Sequence, residues 1–148
     1  MGYDIRELIP HREPMLFIDE IVDASPGDDN GVGNFIKTRK IFAVDDPIFK
    51  GHFPKHPILP GVFGLENLAQ SGAALVNITC NKTANETIFL FMTVEDCKFR
   101  RGIYPQDVLE TQVKISKRRG EIFRFTGEIT VNGKVATQAN FTAKVEVL

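Results

Sequence analysis

Between Lys55 and Lys82 the chain carries a single fixed charge, the carboxylate of Glu66, and it lies inside the run GVFGLENLAQSGAALVN that extends from Gly61 to about Asn77. Leu65, Leu68, Ala69, Gly72, Ala73 and Val76 recur there at helical spacing, and apolar or small residues fill most of the opposite face as well. A helix that is apolar nearly all round belongs in a core rather than on a surface. Gly64, Ala69, Gly72, Ala73 and Ala74 leave room for a sheet or a second helix to approach its backbone closely. Whatever this chain folds into must therefore wrap one long helix and still accommodate Glu66, whose charge costs several kcal/mol to bury unpaired.

The flanking sequence supplies the wrapping. DIRELI at 4–9 reads as a short helix, stopped by PHREP because proline removes a backbone donor and restricts the residue before it. A strand at about 15–24 should pair with one at about 31–42 across the turn-rich SPGDDNG. Residues 43–60 hold four of the eight prolines and show no clean period. After the polar NKTANET come four β-like runs, IFLFMTVEDCKF, VLETQVKISKR, EIFRFTGEITV and KVATQANFTAKVEV. Asn132-Gly133 between the last two is a strong hairpin signal, so the tail reads as an antiparallel meander. No repeat, linker or low-complexity tract divides residues 1–148, which predicts one α+β domain with an antiparallel sheet wrapped around one long buried helix.

Composition removes several classes of function. A formal net charge of -1 over 148 residues gives no general pull toward nucleic acid or an acidic membrane. No window approaches the roughly 18 apolar residues of a spanning helix. The N-terminus has charges in its first dozen residues and no signal-peptide core, so the expected location is cytoplasmic. Cys80 and Cys97 are too few for a disulfide framework and lack metal-ligand spacing; both are expected to be reduced structural thiols. The Asn-x-Ser/Thr triplets at Asn77, Asn81, Asn85 and Asn140 have no role without a secretory route.

Three elements could carry chemistry. His52 sits in the proline-bounded stretch just before the helix, and Glu66 about a turn and a half into it. A partly desolvated carboxyl is a candidate catalytic acid. Pro60-Gly61 starts the helix, and the Gly61 N–H, unshielded by a side chain and backed by the helix dipole, could polarise a carbonyl oxygen. Base, acid and carbonyl polariser are what removing a proton beside a carbonyl and expelling a hydroxyl require. A metal site on His52, His56 and Glu66 is disfavoured, since Pro54 and Pro57 prevent a helical pair of histidines.

The stretch GHFPKHPILPGVFGLENLAQ resembles the signature of the FabZ-type 3-hydroxyacyl-[acyl-carrier-protein] dehydratases of the hot-dog fold superfamily. LIPHREPMLFIDEIVD, FMTVEDCKFRRGIYPQDVLE and KRRGEIFRFTGEITVNGKVATQANFTAKV extend the likeness almost end to end. The resemblance implies that His52 is the base taking the C2 proton of a (3R)-3-hydroxyacyl thioester. It implies that Glu66 is the acid protonating the departing C3 hydroxyl, and that the Gly61 N–H holds the thioester carbonyl. The product would be the trans-2-enoyl thioester and water, in fatty-acid biosynthesis. It further implies no metal or organic cofactor, a homodimer whose sites take the histidine and the acid from different subunits, and assembly of dimers into hexamers. Glutamate rather than aspartate at position 66 fits the FabZ branch, not the isomerising FabA branch.

The implied partner is acyl carrier protein, an acidic helical protein, which Lys98, Arg100 and Arg101 or Lys117, Arg118 and Arg119 could attract. Phe49, Phe53, Ile58, Phe63, Phe89, Phe91 and Phe99 could line an acyl tunnel or simply pack a core. Lys55-His56, Asn67 and the glutamine of YPQD at 104–107 depart from the family pattern without removing a chemical group. Two other readings share the fold: a hot-dog acyl-thioesterase, which would direct water at the carbonyl, and a non-catalytic acyl-binding subunit. The intact pair His52 and Glu66 argues against the second, and His52 with Pro60-Gly61-Val62 against the first.

Overall fold

The computed structural model describes residues 2–27 and 30–148, so Asp28 and Asp29 of the expected turn SPGDDNG lie outside the described residues. Among the described residues, three helices, α1 (Ile5–Leu8), α2 (Ile48–Gly51) and α3 (Gly61–Thr79), accompany six strands. These are β1 (Glu20–Ala24), β2 (Phe35–Ile41), β3 (Thr87–Phe99), β4 (Val108–Arg119), β5 (Ile122–Val131) and β6 (Lys134–Val147). The strands form one antiparallel sheet in the order β1-β2-β4-β5-β6-β3, and α3 packs across it. This is the expected α+β hot-dog arrangement.

The sheet closes on the helix because both surfaces carry matching apolar rows. Leu68, Ala74 and Leu75 of α3 are inaccessible to solvent, as are Ile36, Leu109, Val113, Phe125, Ile129 and Ala143 of the strands. At Gly72 the approach is close: a Cβ there would stand 3.3 Å from the Phe141 ring and 3.4 Å from that of Phe125. Those two rings stack at 4.9 Å, so neither has room to retreat.

The polar residues of α3 are equally committed. Asn67 donates to the Phe17 carbonyl at 2.7 Å and accepts from the Thr111 hydroxyl at 2.6 Å. Gln70 accepts from the Phe17 N–H at 2.8 Å and donates to the Met15 carbonyl at 2.7 Å, while Asn77 donates to the Leu8 carbonyl at 2.7 Å. Together they bind an irregular strap, residues 8–18, along the helix. Here the structure corrects the expected first strand: β1 starts at Glu20 because the backbone at Met15 and Phe17 is bonded to helix side chains rather than to a neighbouring strand.

Two further expectations change. The meander is confined to β4, β5 and β6, while β3 crosses to the far edge and pairs with β6. Its burial is low along nearly its whole length, with Leu90, Phe91, Met92, Val94 and Phe99 exposed. Also, α3 is buried from Asn67 onward but open over its first turn and a half, where Val62 is 65% exposed. The Asn132-Gly133 turn is as expected, with φ of 53° and 76°, the left-handed pair a tight hairpin needs.

Candidate active site

His52 is placed by two short devices. Asp46 accepts from the Ile48 N–H at 3.0 Å and starts the single turn of α2, with Phe49 buried beneath it. His52 caps that turn, its N–H donating to the Ile48 carbonyl at 3.2 Å. The chain then folds back: Phe53 and His56 exchange backbone bonds at 3.0 and 2.9 Å, and the Ile58 N–H donates to the His52 carbonyl at 3.0 Å. The His52–Phe53 peptide is cis.

This loop also orients the imidazole. His52 Nδ1 lies 2.7 Å from the Ile58 carbonyl oxygen. A carbonyl only accepts, so Nδ1 carries the proton and Nε2 is left with its lone pair, able to take a proton from a ligand. The Phe53 ring stacks on the imidazole at 4.0 Å.

Gly61 is the first residue of α3, with Pro60 as its N-cap. At that position its N–H has no carbonyl one turn earlier to bond. A Cβ at Gly61 would meet the Phe99 ring at 3.1 Å, so the glycine lets β3 pass close to the helix start. His52, Phe53, Ile58, Gly61, Phe99 and Arg100 line one groove of about 330 Å³. His52 and the start of α3 at Gly61 thus line the same groove.

Glu66 does not line that groove within one chain. Its side chain is 28% exposed at the open end of α3. Oε2 accepts from Gln70 Nε2 at 2.8 Å, one helical turn on, and lies 3.5 Å from Nε2 of His11 on the strap. Gln70 and His11 were not singled out from the sequence. Spacing by four on a helix could have pointed to Gln70, whereas His11 is brought in only by the strap's docking on α3.

The phenylalanines divide. Phe53 and Phe99, with Ile58, line the groove, while Phe49 is buried and Phe63 and Phe89 pack on the core. Phe91 is exposed on β3 with its ring edge toward Phe141 at 5.8 Å. Of the basic clusters, Arg100 and Arg101 line the His52 groove, whereas Lys117, Arg118 and Arg119 lie at the β4–β5 hairpin and line a different hollow. Two departures from the family pattern have structural consequences: Asn67 is the buried bond-maker described above, and Gln106 adopts a left-handed φ of 71° where glycine would be unstrained.

Residues 9–140 match the family model described as a FabA-like domain. The chain is 38% identical over 145 residues to the 3-hydroxyacyl-[acyl-carrier-protein] dehydratase FabZ of Nitratidesulfovibrio vulgaris (strain DP4), covering 96% of this chain and 90% of that one. With the enzyme of the same name from Campylobacter hominis the identity is 39%, covering 96% and 94% of the two chains. Among solved structures, a chain of the dehydratase heterocomplex ApeI:P from Xenorhabdus doucetiae superposes with a TM-score of 0.77 at 16% identity, covering 97% of this chain and 91% of that one. A hypothetical thioesterase with coenzyme A from Streptococcus pneumoniae superposes with a TM-score of 0.60 at 11% identity, covering 88% of each. The structures share the fold, and the sequence relatives are of one kind: the chain belongs to the FabA-like family, among the FabZ-type dehydratases.

Proposed function

We propose that this chain dehydrates 3-hydroxyacyl thioesters carried by acyl carrier protein to the trans-2-enoyl thioester and water, in fatty-acid biosynthesis. His52 Nε2 removes the C2 proton, and the electrons of that C–H bond become the C2=C3 π bond. The C3–O bond breaks with its electron pair on oxygen, which takes a proton from Glu66 and leaves as water. The thioester carbonyl gathers negative charge as C2 loses its proton, and the Gly61 N–H at the positive end of α3 stabilises it. The observation that carries this reading is the Nδ1 contact to Ile58, which leaves Nε2 free to accept a proton on an imidazole that lines the same groove as Gly61.

The acid reaches that groove from a second copy. Two observations support a homodimer: Glu66 is not among the residues that line the His52 groove within one chain, and β3 is a long edge strand with a row of exposed apolar side chains. Such an edge is a template for pairing, and antiparallel pairing with the same strand of another copy closes the sheet symmetrically. Dimers assembling into hexamers, residues 1–148 acting as one domain, and a cytoplasmic setting complete the reading. No helix among the described residues is long and apolar enough to cross a membrane. Arg100 and Arg101 at the groove's rim suit an acidic carrier protein better than the cluster at the distant hairpin.

The test is to add the protein to a short enoyl thioester and follow the conjugated enoyl absorbance together with free thiol. Loss of absorbance without thiol release is the expected result. Thiol release would instead make the chain a thioesterase, and no change with thioesters of several lengths on both coenzyme A and acyl carrier protein would make it a non-catalytic acyl-binding subunit.

A further inference from the structure

We propose that His11 is a positioning residue, which together with Gln70 holds Oε2 of Glu66 and thereby makes Oε1 the oxygen that delivers the proton. This rests on the reading of Glu66 as the acid. The Gln70 amide cannot turn over, because its oxygen takes the Phe17 N–H at 2.8 Å and its nitrogen gives to the Met15 carbonyl at 2.7 Å. It therefore always presents an N–H to Glu66 Oε2, at 2.8 Å.

His11 addresses the same oxygen. Its Nδ1 is buried with no hydrogen-bond partner among the described residues, so a proton there would be an unsatisfied buried donor. A proton on Nε2 instead faces Oε2, 3.5 Å away. That distance exceeds an ordinary hydrogen bond, and contacts of this kind in unliganded sites tighten when substrate arrives. The strap is braced on both sides of His11: Ile9 is fully buried, and the Arg12 guanidinium donates to the carbonyls of Ile9 at 2.9 Å and Arg6 at 2.7 Å.

The consequence is a division of labour within one carboxyl group. A protonated carboxyl has one O–H donor, and its other oxygen can accept two hydrogen bonds. Oε2 accepts from Gln70 and faces His11 Nε2 at 3.5 Å, while no hydrogen-bond donor among the described residues meets Oε1. The proton therefore resides on Oε1 and passes to the C3 oxygen as the C3–O bond breaks, leaving a carboxylate whose charge on Oε2 is already solvated by two N–H groups. His11 touches neither substrate nor reacting atoms and acts only through Glu66.

The experiment measures kcat and KM for enoyl thioester hydration in His11→Leu, His11→Gln, Glu66→Gln and the double variant Glu66→Gln/His11→Leu. His11→Leu should lower kcat about tenfold with KM changed less than about twofold. His11→Gln, which restores an N–H, should recover most of that loss, and the double variant should be no slower than Glu66→Gln alone. Should His11→Leu fail to fold, His11→Met fills similar space without a donor and carries the same comparison. Full kcat in His11→Leu beside an inactive Glu66→Gln would overturn the proposal while leaving Glu66 as the acid. A raised KM at unchanged kcat, or a further loss in the double variant, would overturn it too. Full activity in Glu66→Gln would remove the acid assignment and this proposal with it.

Discussion

His52 and the backbone of Ile58 are tied twice: ring Nδ1 donates to the Ile58 carbonyl at 2.7 Å, and the Ile58 N–H donates to the His52 carbonyl at 3.0 Å. The tie fixes both the tautomer and the direction of Nε2. Replacing His52 by alanine or glutamine should lower kcat by about 10² to 10⁴. Thermal unfolding should move little, because the backbone half of the tie remains; a circular-dichroism melt beside the kinetics separates the two effects.

Asn67 is fully buried and bonded to both the strap and β4. Asn67→Leu strands the Phe17 carbonyl and the Thr111 hydroxyl without partners, and should cost about 2 to 3 kcal/mol in urea unfolding. A loss under about 0.5 kcal/mol would mean that the strap is held chiefly by its apolar side chains.

Gly72 faces two stacked rings that cannot withdraw. Gly72→Val should destabilise by about 2 to 3 kcal/mol, the overpacking cost exceeding the few tenths of a kcal/mol gained in helix propensity. Denaturant midpoints for the variant and the parent measure it.

Met92 is exposed on the β3 edge, away from the core. Met92→Asp puts like charges on two copies of that edge, and sedimentation should show monomer where the parent is expected to show a dimer or an assembly of dimers. Activity should fall in parallel even though His52, Gly61 and Glu66 are untouched. A monomer with full activity would contradict the shared site.

Burial pushes the Cys97 thiol above its ordinary value. A thiol raised on folding stabilises the protein below its unfolded value, and that contribution is lost as pH rises through the folded one. Alkylation of Cys97 by iodoacetamide near pH 8 should accordingly be slower in the folded protein than in urea, with mass spectrometry identifying the site.

The fold was legible wherever local pattern and tertiary structure agreed. The helix at Gly61 and the four β runs stand close to where periodicity placed them, because alternation and helical spacing directly encode which face is buried. What stayed hidden depended on distant partners. Met15 and Phe17 read as strand, but their backbone groups are taken by Asn67 and Gln70 across the strap, which no local pattern reveals. The crossing of β3 to the far edge was equally invisible, since a β-like run does not state its neighbour. His52, Gly61 and Glu66 could be proposed from residue type and the family resemblance. The absence of Glu66 from the groove that His52 and Gly61 line within one chain, and its contact with His11, required coordinates.

The division of the site between two chains is the central claim, and mixing two dead variants tests it most directly. His52→Ala and Glu66→Gln are each expected to be inactive as homodimers. After subunit exchange at equal amounts, half the dimers are mixed, and each mixed dimer holds one complete site if His52 and Glu66 act across the interface. About a quarter of the parent activity should return. If the two residues act within one chain, no mixed dimer has a complete site, and an activity that stays at zero despite verified exchange would contradict the account.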